Sequence, residues 1–160
     1  MSDGSEVIRK MELVGEVGGG NGEEMELVER GRFRVREEED GRGVEMLNEL
    51  EIVEGELWAN IYHSNLVVVV DLEKEGVVKR WIDFGGLVER VRSGWGGREV
   101  DVLNGIAWEE GSGRLFVTGK LWPVLYEVEV EKRARKMHVG EVEPFFFDPV
   151  RLKALRDMIA

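Results

Sequence analysis

The 160-residue sequence contains no cysteine, which excludes disulfides, thiolate nucleophiles and cysteine-ligated zinc together. Proline is scarce at 3 residues, against 21 glycines, a balance that suits a chain of many turns. Long hydrophobic runs are missing as well. No stretch approaches the roughly 18 apolar residues of a membrane span, and residues 1–10, MSDGSEVIRK, lack the apolar core of a secretory signal. As written, the chain is expected in the cytosol and away from membranes. Basic residues are outnumbered, with 22 Lys and Arg against 33 Asp and Glu for a net charge of −11. That sign excludes sequence-independent nucleic-acid binding, which needs clustered cations to meet phosphates. The acidic excess is spread along strand edges and turns, where it reads as a solvated face. The two histidines, His63 and His138, have no spacing that suggests a metal pair, and no metal or cofactor is expected.

What is present is a repeat. Residues 103–129, LNGIAWEEGSGRLFVTGKLWPVLYEVE, follow the layout of residues 47–71, LNELEIVEGELWANIYHSNLVVVVD. Asn48 answers to Asn104 at an offset of 56, whereas Leu57 answers to Leu115 and Tyr62 to Lys120 at an offset of 58. The two extra residues fall in the turn at Gly111, Ser112 and Gly113, which replaces Glu54-Gly55; insertions in repeats belong in loops. Each copy reads as strand, turn, strand, break, strand, filled with β-branched and aromatic residues. A fourth strand follows the turn Lys74-Glu75-Gly76 in the first copy, carried by Val77, Val78, Trp81 and Ile82, and a weaker one spans Ala134 to Val139 in the second. The predicted fold class is all-β: a partial β-propeller with two to three blades and a short C-terminal helix. Blades of about 40–45 residues close a ring only in sets of four or more.

The flanks are less regular. The expected division is 1–45 as a degenerate or incomplete blade, 46–142 as two blades, and 143–160 as a Phe-rich segment with a terminal helix. Residues 14–24, VGEVGGGNGEE, are predicted to be a mobile loop, because glycine loses more backbone entropy on ordering than such a segment recovers. They do not resemble a phosphate loop, lacking the Lys-Ser/Thr step and carrying glutamates that repel phosphate. Arg32 to Arg36 alternates like a strand. At the other end, Asp148-Pro149 has the form of a helix start, with Leu152, Leu155 and Ile159 on one stripe, and Phe145, Phe146 and Phe147 form an apolar plug over a blade flank or a partner.

The segments DVLNGIAWEEGSGRLFVTGKLWP, LNELEIVEGELWANIY and WIDFGGL resemble the signature segments of the plant-type and bacterial glutaminyl cyclases, the glutamine cyclotransferase family. The resemblance is firm over residues 47–130, and weaker over 33–46 and 1–5. It implies a five-bladed propeller that converts the N-terminal glutamine of a peptide or protein to pyroglutamate and releases ammonia. It also implies that this chain corresponds to the C-terminal half of a cyclase or slightly more, with the acid/base glutamate and further pocket tryptophans of the family belonging to earlier blades. Family members usually carry a secretory signal. Glu49, beside Asn48, does not occupy the acid/base position. Other propellers, which hydrolyse lactones or hold metals, need several inward carboxylates that the second copy does not supply.

By motif, Lys120 of TGKLWP takes the position of the family's active-site lysine, and Asn48 of LNELE that of an asparagine bonded to substrate. Tyr62 stands where the family has a pocket tryptophan, keeping an aromatic wall while losing area and gaining a hydroxyl. Asn104 and Trp122 complete the substrate-binding candidates. The plainer readings remain open: a solvated strand-end lysine, turn-capping asparagines, and Trp58 and Trp122 as packing within or between blades. An alternative function is that of a non-catalytic propeller fragment that pairs through open strand edges.

Overall fold

The computed structural model describes residues 4–16, 24–94, 99–130 and 152–154. Strands β1 (Val7–Glu16) and β2 (Glu24–Arg34) pair antiparallel as a two-stranded sheet. Strands β3 (Leu47–Val53), β4 (Glu56–Ile61), β5 (Leu66–Asp71) and β6 (Val77–Asp83) form a four-stranded antiparallel meander in chain order. Helix α1 (Gly85–Gly94) follows. A second four-stranded sheet contains β7 (Leu103–Glu109), β8 (Arg114–Gly119), β9 (Tyr126–Val128) and β10 (Leu152–Ala154), again as neighbours in chain order.

The first meander is the middle layer, and β5 explains why. Val67, Val68, Val69 and Val70 are all fully buried, so alternate residues must find apolar partners on opposite faces. Val67 and Val69 join Trp58, Ile82 and Phe84 against α1 and the second sheet. Val68 and Val70 join Leu57 and Ala59 against Ile8, Val35 and Val44 of the N-terminal segment.

Helix α1 is a departure from the all-β expectation, and its local causes are plain. Asp83 Oδ1 accepts a hydrogen bond from Gly85 N at 2.7 Å, and Val88 N donates to Phe84 O at 3.0 Å, so the first turn is closed at its start. Leu87, Val88 and Val91, spaced for one helical face, are buried against the sheets. Flanking glycines obscured this short pattern in the sequence.

The terminal helix is corrected in part. Leu152, placed on its apolar stripe, belongs instead to β10, which pairs antiparallel with β9 through Leu152 and Val128. The edge of β9 offers an open ladder of backbone groups, and pairing it satisfies them better than one short amphipathic stripe would. The proposed start at Asp148-Pro149, the residues Leu155 and Ile159, the three phenylalanines and the strand 134–139 lie outside the described residues, and β10 fills the fourth place in the second sheet. At the N-terminus, β1 and β2 extend into the segment read as a mobile loop, taking in Val14, Gly15, Glu16 and Glu24. Residues 17–23 lie outside the described residues.

Glu56, which opens β4, is bonded by Lys79 at 2.7 Å and by Arg80, whose guanidinium also lies 5.9 Å from the Trp58 ring centroid. Burial pushes the Glu56 carboxyl up, but the hydrogen bonds and charges of Arg80 and Lys79 outweigh it and hold the group below the usual carboxylate range. A depressed folded-state value means that the stabilisation is fully present above the unfolded value of about 4.3 and is lost as pH falls through the folded value. Glu56→Gln is therefore expected to lower the melting temperature at pH 7, with the gap from the wild type closing as pH falls below about 4. Thermal melts across that range check this; a gap that stays constant with pH would assign the loss to packing.

Candidate functional site

The repeat is a repeat of backbone as well as of sequence. In β3 the register shifts between Leu47 and Leu50, and in β7 between Leu103 and Ile106, so Asn48 and Asn104 each sit in a bulge where the ladder is interrupted. Tyr62 N donates to Met46 O at 2.7 Å, and Lys120 N donates to Val102 O at 2.9 Å, the same bond at the same offsets. The turn that follows is also duplicated: Ser64 N donates to Ile61 O and Trp122 N to Gly119 O, while His63 and Leu121 hold φ of 60° and 59°. A left-handed backbone is uncommon for non-glycine residues and is held only where its surroundings enforce it.

This duplication brings the expected residues together. Lys120 Nζ lies 4.5 Å from the centroid of the Tyr62 ring, a cation–π distance. Asn48 Nδ2 donates to Asn104 Oδ1 in a hydrogen bond that joins the first strands of the two sheets. The ammonium is exposed and so remains available to a ligand, while the ring under it fixes its direction.

Trp122 has a bracing position. Its Nε1 donates to Asp101 O at 2.9 Å, and Asp101 N donates to Lys120 O at 3.0 Å, so the indole clamps the segment that pairs with the lysine. It lies edge-on to Tyr126 at 6.3 Å and covers Gly119, where an added Cβ would meet Cε2 at 2.3 Å. Trp58 is buried in the core between the sheets, and Glu49 is exposed. His63 stacks against Tyr62 with ring centroids 3.9 Å apart.

Two residues that sequence reasoning passed over also link the sheets. Glu51 Oε1 accepts from Trp108 N at 2.7 Å, and Asn60 Oδ1 accepts from Gly105 N at 3.2 Å. Asn60 carried a signal in the sequence: it is a polar residue in the apolar strand LWANI, two positions from Trp58, where a strand turns the same face to its surroundings. A separate cleft of about 900 Å³ opens between the two-stranded sheet and the first meander, lined by Met11, Phe33, Leu50 and Leu57 among others, and it includes none of Asn48, Tyr62, Asn104 or Lys120.

The family model for glutamine cyclotransferase matches residues 23–130, a span that contains Asn48, Tyr62, Asn104, Lys120 and Trp122. The chain belongs to the glutamine cyclotransferase family. Within 97 residues it is 42% identical to a glutaminyl-peptide cyclotransferase of Arabidopsis thaliana, an overlap of 61% of this chain and 30% of that protein. The crystal structure of the Myxococcus xanthus glutaminyl cyclase superposes with a TM-score of 0.62 at 36% identity, over 80% of this chain and 49% of that one. This cyclotransferase-family chain thus spans about a third of the first relative and about half of the second. The resemblance read from the three motif segments is borne out.

Proposed function

We propose that the chain forms pyroglutamate from the N-terminal glutamine of peptides or proteins, with Lys120 and Asn48 at the reacting groups and Tyr62, Asn104 and Trp122 around the substrate. The observation that carries this reading is the placement of Lys120 Nζ over the Tyr62 ring at 4.5 Å, at equivalent positions of two sheets in a family whose named relatives are cyclotransferases. On this reading the two meanders are successive blades of a five-bladed propeller, with β3 and β7 nearest the axis.

In the reaction the neutral α-amine attacks the side-chain amide carbon, forming the ring C–N bond as the carbonyl electrons move onto oxygen. Collapse of this intermediate breaks the bond to the amide nitrogen, which takes up a proton and leaves as ammonia while the attacking nitrogen loses one. The Lys120 ammonium is suited to the developing oxyanion, because a fixed cation beside that oxygen is worth more in the transition state than in the ground state. Asn48 and Asn104 each have amide groups that can hold the substrate carboxamide folded toward its own amine, the arrangement on which an intramolecular attack depends. Tyr62 supplies a flat wall for the aliphatic part of the glutamine.

Incubating the 160-residue chain with a Gln-initiated peptide is expected to release ammonia and convert the peptide to its pyroglutamyl form faster than the spontaneous reaction, with an Ala-initiated peptide unchanged. Release no faster than the spontaneous rate, from a chain shown to be folded by its cooperative melt, would overturn the proposal. A second reading, a non-catalytic module that binds a protein partner, is favoured by Leu13 and Leu27, which are cross-strand neighbours in the two-stranded sheet and are 54% and 55% exposed. An apolar pair on a sheet of only two strands suits coverage by further chain. It predicts binding that Leu13→Ser abolishes without altering ammonia release.

A further inference from the structure

Gly105 stands between the two sheets in a way that the motif comparison does not anticipate. It follows Asn104 directly, inside the bulge of β7, with φ of +151°. On one side its N–H is held by Asn60 Oδ1 at 3.2 Å; on the other, a Cβ added to it would meet Thr118 Cγ2 at 2.7 Å. Asn60 precedes Tyr62 by two residues on β4, and Thr118 precedes Lys120 by two on β8. Asn60 and Thr118 are therefore equivalent positions of the repeat, and the Gly105 backbone is the spacer between them.

Among the described residues, Asn60 is the one polar residue that is fully buried, at 0% exposure, and its Nδ2 has no hydrogen-bond partner there. Burying an unpaired NH2 group is costly, and an apolar residue of similar size would avoid the cost. A carboxamide at this place is accounted for by its other end, the acceptor for Gly105 N. Gly105 can accept no side chain without displacing Thr118, and this hydrogen bond ties the end of β4 to the bulge of β7 at that close approach. Thr118 is itself tied down, its hydroxyl donating to Val124 O at 3.0 Å.

We propose that Asn60 is a positioning residue: by fixing Gly105 it holds Asn104 against Asn48 and sets the separation of Lys120 from Tyr62. It touches no substrate. Its kinetic consequence rests on the proposed cyclotransferase reading, whereas its structural consequence does not, and the test separates the two.

The experiment measures hydrogen exchange at the Gly105 amide, by NMR, together with kcat and KM for a Gln-initiated peptide. Asn60→Leu is expected to speed Gly105 exchange by about 10- to 100-fold, the range for a lost buried hydrogen bond, while the amides of β5 keep their protection. Asn60→Asp, which keeps an oxygen in the place of Oδ1 but adds the cost of a buried carboxyl, is expected to recover part of the protection at Gly105. Trp58→Phe serves as the control for general loosening, since it disturbs the same strand but not this bond, and is expected to leave Gly105 exchange unchanged. In the kinetic arm, Asn60→Leu lowers kcat with little change in KM. Equal acceleration at Gly105 in Asn60→Leu and Trp58→Phe, or no acceleration in Asn60→Leu, would overturn the proposal. A wild-type chain that releases no ammonia would end the cyclotransferase reading and leave the exchange result to decide the role of Asn60 alone.

Discussion

On the proposed cyclotransferase reading, replacing Lys120 with alanine is expected to reduce the rate of pyroglutamate formation by about 100- to 1,000-fold, the cost of removing one preorganised oxyanion stabiliser, with a loss of fold stability of no more than about 1 kcal/mol. The second half of this expectation follows from exposure. The Lys120 side chain stands at a strand end in solvent, so its stem buries little, and its attraction to the Tyr62 ring is worth only about 0.5–1 kcal/mol at such a site. Its backbone bonds to Val102 and Asp101 survive the substitution. Steady-state kinetics with a Gln-initiated peptide, alongside thermal melts, check both halves. A large fall in kcat/KM with a melting temperature lowered by no more than a few degrees matches the proposed role. A rate within about threefold of the wild type would return the lysine to a solvated strand-end residue, because that difference amounts to well under 1 kcal/mol of transition-state stabilisation.

Phe84→Ala is expected to have the opposite profile, destabilising the fold by about 3–5 kcal/mol. Phe84 is fully buried, and it lies where the first meander, α1 and the second sheet share one apolar cluster. Its backbone is engaged at both ends, with N donating to Asn65 O at 2.8 Å and O accepting from Val88 N at 3.0 Å, so the chain cannot easily close over the cavity. Against the 5–15 kcal/mol typical of a whole domain, a loss of this size consumes a large part of the total. Urea unfolding followed by tryptophan fluorescence measures it as a lowered midpoint. A loss below about 1 kcal/mol would mean that the sheets are held together elsewhere.

The parts of the fold that could be read from sequence are those the repeat duplicates. Asn48, Asn104, Tyr62 and Lys120 are legible because two copies at offsets of 56 and 58 residues make them equivalent positions, and the bulges and turn bonds are duplicated accordingly. Elements outside the repeat were less legible. Helix α1 has only Leu87, Val88 and Val91 as its buried stripe, too few for a period to stand out between paired glycines. Strand β10 has three residues, and its conformation is decided by the edge of β9, distant in sequence. The N-terminal strands are obscured by the glycine-rich composition of residues 14–24, although their cross-strand pairs run as far as Glu16 and Glu24. Asn60 and Glu51 act through backbone groups of the neighbouring sheet, and a bond to backbone leaves no partner residue type to recognise in a sequence.

The meeting of Lys120 and Tyr62 is tested most directly by the NMR signals of the Lys120 ε-methylene protons. An ammonium held over an aromatic face at 4.5 Å places the adjoining methylene in the shielding zone of the ring. Those protons are predicted to lie upfield of an ordinary lysine, to show cross-relaxation with the Tyr62 ring, and to return to ordinary positions in Tyr62→Leu. Ordinary shifts in the wild type that Tyr62→Leu leaves unchanged would contradict the account.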